Sequence, residues 1–162
     1  TLSIITRMEH QLTPSLQTGM TFEWRDTQEG IEWDELTALY HAAPLGNKKA
    51  TELQTVFSAS LFKCFVYHAG ELVGAGRVLA DGVDTAYLCD VAVHPNLQGT
   101  GLGKALVARL VALSRHHKKI ILYAVPGKEA FYRKLGFKRM NTAMAIFSNP
   151  AQALERGYIS EG

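Results

Sequence analysis

Residues 91–110 read VAVHPNLQGTGLGKALVARL: the end of an apolar strand, a Gly-rich turn, then a helix with Lys104 in its first turn. Free N–H groups at a helix N-terminus point at an anion, and the helix dipole adds partial positive charge there. Glycines at 99, 101 and 103 let the backbone approach a ligand closely and allow the dihedrals such a turn requires. The expectation is therefore an anion-binding strand–turn–helix unit.

Two nucleotide patterns fail on this stretch. A Walker loop requires Gly where Gln98 stands and Ser or Thr where Ala105 stands. The dinucleotide fingerprint requires Gly at 104, which is Lys, and an acid about 20 residues on, whereas residues 111–128 contain none.

Elements read outward from the loop in both directions. Upstream, Leu61–Tyr67, Leu72–Ala80 and Ala86–Val93 are strand-like runs with short connections, a meander. Before them, Met20–Arg25 alternates as a strand, and Ile31–Ala42 and Asn47–Ser58 read as helices, with Asn47 as the N-cap of the second. Downstream, Gly101–His117 is a helix with Leu102, Leu106, Leu110 and Leu113 along one side. Lys119–Val125 is a strand, Glu129–Leu135 a short helix closed by Gly136, and Lys138–Thr142 and Ala143–Phe147 two last strands. Strand 86–93, helix 101–117 and strand 119–125 form a βαβ crossover, so those two strands should be parallel. The division expected is an extension over 1–19, one mixed α/β domain over 20–147, and a tail over 148–162.

Composition agrees with a globular chain. Of 162 residues, 47% are hydrophobic and 20% charged, and the formal charge of +2 argues against a strongly basic nucleic-acid binder. Charge is uneven, however. Residues 101–140 hold ten Lys or Arg against one acid, Glu129, so the rest of the chain is −7. Cys64 and Cys89 sit in apolar runs and read as free thiols in a reducing, cytoplasmic setting. No zinc spacing or other metal set is present, and no run is apolar enough for a membrane helix. The start, TLSIITRMEHQLTPS, lacks the pattern of a secretory signal; Thr1 reads as a processed end, with Met8 as another start.

The loop Gln98-Gly99-Thr100-Gly101-Leu102-Gly103, preceded by Val91-Ala92-Val93-His94-Pro95, resembles the signature of the GNAT acyl-CoA N-acyltransferases. Phe131-Tyr132-Arg133-Lys134-Leu135-Gly136-Phe137 resembles that superfamily's second motif, in family order and at family spacing. The likeness covers about residues 20–147. It implies the GNAT fold: a largely antiparallel sheet with a parallel central pair splayed by a β-bulge, and helices on both faces.

The resemblance also implies acetyl-CoA as cosubstrate and an amine acceptor, joined by direct attack in a ternary complex. Gln98, Gly99, Thr100, Gly101, Leu102, Gly103 and Lys104 would hold the pyrophosphate. Val91, Ala92 and Val93 would pair with the pantetheine arm, and Phe131 and Lys134 complete the expected cofactor-binding set. Tyr132 stands where many relatives place the acid that protonates the departing thiolate; a packed aromatic is its structural alternative. Asp90 stands where some relatives hold or deprotonate the amine; a carboxylate bracing the bulge is the alternative. Glu129, His41, His94 and Tyr123 are weaker bases, and His94 reads as structural. Arg77 is either substrate-facing or in a surface pair with an acid. Relatives with an Asn after the fifth strand contact CoA through it; Pro126-Gly127-Lys128-Glu129 stands there instead.

Acceptor class is less legible. Residues 21–36 carry six acids and one base, which suits a cationic amine such as a polyamine or arylalkylamine. A protein Nα- or Lys-acetyltransferase and a non-catalytic acyl-CoA-binding module are the competing readings. Neither nucleic acid nor membrane is an expected partner; relatives are often dimers, which leaves a homodimer open.

Overall fold

The structure, a computed structural model, describes residues 19–162. The extension read over 1–19 therefore falls, up to residue 18, outside the described residues. The chain divides into two compact units, one ending at Leu122 and the other Tyr123–Gly162, and the division lies inside the stretch read as one domain.

The first unit is built on five strands in the order β1 (Glu23–Arg25), β2 (Phe62–His68), β3 (Glu71–Ala80), β4 (Thr85–Val93) and β5 (Lys119–Ile121). The first three pairings are antiparallel and β4–β5 is parallel, as the crossover predicts. A two-residue turn, Ala69-Gly70, joins β2 to β3 with both residues left-handed (φ 50° and 79°), which matches the strand twist.

Helices cover both faces of this sheet. Helices α1 (Trp33–Ala42) and α2 (Ala50–Ser58) lie on one face. Leu36, Leu39, Tyr40, Leu53 and Phe57 form a core there with Phe65, Leu72 and Ala75 of the strands. On the other face, α3 (Leu102–Ser114) packs on β2, β3 and β4. Its fully buried stripe is Leu102, Leu106, Val107, Leu110 and Ser114; Leu113, expected on that stripe, is only half-buried.

The second unit holds α4 (Glu129–Arg133) and α5 (Pro150–Glu155). Gly136, at φ 93°, closes α4: the amide of Phe137 reaches back to the carbonyl of Tyr132 at 3.2 Å. Tyr123, Phe147 and Tyr158 gather with ring centroids 5.6–6.1 Å apart.

Several expected elements differ. The strand expected over 119–125 stops at Ile121, and neither 138–142 nor 143–147 forms a strand. A strand-like pattern needs a hydrogen-bonding neighbour to become a strand. The parallel ladder ends at Tyr87↔Ile121, and no later strand exists among the described residues. Consequently β4–β5 closes one edge of the sheet. Asn47 does not cap α2, which begins three residues later behind Lys49; its side-chain oxygen is 2.9 Å from the His41 ring instead. The stretch read as a tail over 148–162 contains α5, capped by the Asn149 side chain on the amide of Gln152 (3.0 Å).

Candidate active site

The β4–α3 junction carries the first half of the site. Pro95–Leu97 forms one 3₁₀ turn after β4, and the His94 ring accepts from the amide of Asn96 at 3.2 Å, which is the structural role expected of it. Gly99 (φ 80°) and Gly101 (φ 89°) then take left-handed conformations that an L side chain disfavours. Thr100 stiffens the turn between them, donating to the carbonyl of Leu97 (2.6 Å) and accepting from the amide of Leu102 (3.4 Å).

Gly101 is the N-cap of α3 and supplies no side chain to cap it. The amides of Gly99, Gly101, Gly103 and Lys104 thus have no acceptor among the described residues. Gln98, Gly99 and Lys104 are exposed. Such a set of outward amides at a helix N-terminus is what an oxyanion-rich group such as pyrophosphate requires. The residues fit the group the sequence implied.

The second half is an opened strand edge. Opposite Gly76 of β3 stand two residues of β4, Asp90 and Val91, because Ala75 pairs with Ala92 while Arg77 pairs with Cys89. This is a β-bulge, and Asp90 occupies it at φ 53°. On its other side β4 pairs with β5 only over Thr85–Tyr87. Residues Leu88–Val93 therefore offer an unpaired edge on that side among the described residues. An extended arm carrying amides can pair with such an edge as an added strand does.

Asp90 is engaged from several directions. Arg77 donates through Nε to Oδ2 at 2.7 Å, and Lys48 Nζ lies 3.4 Å from Oδ1. The buried Tyr40 hydroxyl donates to the Asp90 backbone carbonyl at 2.6 Å. Burial pushes the Tyr40 phenol well above its ordinary value, and the Asp90 charge adds to this. Arg77 is thus paired with an acid, in a half-buried pair and not at the open surface. Tyr40 and Lys48 were not read as site residues. Tyr40 followed a helical apolar pattern, and nothing in the spacing of Lys48 pointed to Asp90.

The second unit holds Phe131, Tyr132 and Lys134. Tyr132 is flanked edge-on by Phe131 (5.0 Å) and Phe137 (5.9 Å), and burial pushes its phenol up, keeping the hydroxyl protonated. Lys134 is exposed just after α4. Glu129 is committed to the amide of Gly127 at 2.8 Å, His41 to Asn47, and Tyr123 to its aromatic neighbours. Both thiols are free; burial pushes Cys64 up to about 12 and also raises Cys89, so neither is poised as a nucleophile.

Known proteins share this architecture and sequence. A GNAT-family acetyltransferase structure from Streptococcus pneumoniae superposes with a TM-score of 0.69 at 22% identity, over 80% of this chain and 98% of that one, which speaks to the fold. The rice protein named serotonin N-acetyltransferase 2, chloroplastic, is 48% identical over 71 residues, covering 43% of this chain and 36% of that protein. The Arabidopsis thaliana protein named GCN5-related N-acetyltransferase 1, chloroplastic, is 31% identical over 120 residues, 72% of this chain and 61% of that one. The chain thus spans between about a third and two thirds of the length of these two relatives. The family model described as "Acetyltransferase (GNAT) family" matches residues 20–137, well over half of the sequence, and takes in both the glycine loop and the Tyr132 motif. By that match the chain belongs to the GNAT acetyltransferase family.

Proposed function

We propose that the protein is an acetyl-CoA-dependent N-acetyltransferase that acylates a primary amine of a small molecule by direct attack in a ternary complex. The observation that carries this reading is the junction itself. Among the described residues, four amides without acceptors (Gly99, Gly101, Gly103, Lys104) follow within a short turn of the unpaired Leu88–Val93 edge. Acetyl-CoA supplies an acyl carbon activated as a thioester, which passes to the amine as an amide while the thiol is released.

Within this reading the loop amides and Lys104 neutralise the pyrophosphate, and Val91, Ala92 and Val93 align the pantetheine arm by backbone pairing. Gln98, Phe131 and Lys134 belong to the same binding set. Tyr132 carries the proton that the departing sulfur takes up. A phenol held up by burial remains a donor across the neutral range.

Acceptor class follows from charge. Of the six acids in residues 21–36, Glu23 pairs with Arg25, Asp26 with Arg109, and Glu35 accepts from the amide of Leu72 at 2.8 Å. Half of the apparent cation sink is therefore already engaged. This favours an amine with one positive charge over a polyamine, and the name of the rice relative makes an arylalkylamine the first acceptor to try.

The test is thiol release from acetyl-CoA across a panel of arylalkylamines, polyamines, amino acids and lysine peptides. Release with an arylalkylamine is the expected result. Acetyl-CoA binding without release for any acceptor would leave a binding module, and release with peptides alone would mark a protein acetyltransferase. For Tyr132→Phe, kcat should fall about 10²-fold or more while the Michaelis constant for acetyl-CoA changes little. Unchanged turnover would remove Tyr132 from the acid role.

A further inference from the structure

Asp90 is the one non-glycine residue besides the hairpin's Ala69 that takes a positive φ among the described residues, and it does so inside a strand. Aspartate visits the left-handed region more readily than most residues, yet a strained backbone persists only where its surroundings hold it. Here two elements do. From α1, the fully buried Tyr40 donates to the Asp90 carbonyl at 2.6 Å. From β3, Arg77 Nε donates to the carboxylate at 2.7 Å. Arg77 is itself steadied through Nη1 by Ser60 Oγ at 3.3 Å, and Ser60 donates to the carbonyl of Val56 in α2 at 2.7 Å. Alternation places this network correctly: a Cβ on Gly76 would point at Leu110 of α3, so Arg77 must point to the opposite, α1–α2 face.

A general base needs a lone pair directed at the substrate proton. Both oxygens of Asp90 face cations instead, Arg77 at 2.7 Å and Lys48 at 3.4 Å, and the side chains of Arg77 and Asp90 are only 13% and 20% exposed.

We propose that Asp90 is a positioning residue: Tyr40 and Arg77 latch it in the left-handed bulge, and this latch sets the backbone of the open β4 edge instead of removing a proton from the acceptor. The inference rests on the acetyltransferase reading for its kinetic readout alone.

Four variants of the full chain test it: Asp90→Asn, Arg77→Met, Arg77→Lys and Tyr40→Phe. Asparagine tolerates the left-handed backbone and still accepts from Arg77, but is no base. The kcat–pH profile of Asp90→Asn should keep the acid limb of the parent; loss of that limb would overturn the proposal. Arg77→Met and Tyr40→Phe should speed amide hydrogen exchange of residues 89–93 about tenfold or more relative to β2. They should also raise the Michaelis constant for acetyl-CoA more than they lower kcat, with Arg77→Lys partly restoring both. Unchanged exchange in Arg77→Met and Tyr40→Phe would equally overturn it. Exchange needs no substrate, so a parent protein inactive on every acceptor would defeat the acetyltransferase reading while the latch was still decided.

Discussion

Gly76 is the residue on which the bulge and the loop-bearing helix meet. A Cβ there would lie 2.7 Å from Cδ1 of Leu110 and 3.4 Å from Cγ2 of Val91. Leu110 is fully buried and has little room to withdraw. Gly76→Ala should therefore cost about 1–3 kcal/mol by overpacking, read as a lowered midpoint of urea unfolding with an unchanged slope. A neutral result would mean that α3 lifts off β3 without penalty, and the bulge would then owe little to this contact.

At the scale of elements, the β3–β4 connection shows how one carboxylate shapes a turn. Asp81 Oδ1 accepts from the amides of Val83 (2.8 Å), Asp84 (2.7 Å) and Thr85 (3.2 Å). These amides, Val83 first, hold the Asp81 carboxyl below its ordinary value. A folded value held down in this way stabilises the protein above the unfolded carboxyl range of about 4, and that stabilisation is lost as pH falls through the folded value. Asp81→Ala should accordingly lower the melting temperature at pH 7 and lower it much less at pH 3. A deficit equal at both pH values would assign the effect to something other than the ionised turn. The same turn is tied to the end of α3, since His117 Nε2 accepts from the amide of Gly82 at 3.0 Å.

Over the whole molecule, the basic window is partly offset by acids that the fold brings from outside it. Arg109 makes a two-pronged pair with Asp26 (2.8 and 2.6 Å) and lies over the Trp24 ring, while Lys119 pairs with Asp84 at 2.6 Å. Lys104, beside the glycine loop, makes no ion pair among the described residues and so leaves its charge available there. The Arg109–Asp26 pair joins α3 to the segment after β1, but both side chains are about 40% exposed. A double-mutant cycle with Arg109→Gln and Asp26→Asn should give a coupling of about 0.5–1 kcal/mol at low salt, shrinking in 1 M NaCl. Coupling that salt leaves unchanged would place the effect in packing on Trp24.

Much of this was legible in residues close together along the chain. The meander, the glycine turn, the α3 helix and the closure of α4 at Gly136 follow from apolar period, turn residues and caps, all of which act within a few positions. The bulge and the open edge were legible only through the likeness of the Val91–Lys104 stretch to a family. Strand ends were not legible: Lys119–Val125 and residues 138–147 have strand patterns, but strandedness is a property of two chains of hydrogen bonds, and pairing stops at Ile121. Nor was the setting of Asp90. Its immediate neighbours mark it as a candidate only through the family resemblance, while its partners Tyr40, Lys48 and Arg77 arrive from a helix, a loop and another strand. Local propensity carries the elements; which charge faces which is set by packing α1 and α2 across the bulge, and that packing assigns Asp90 its work.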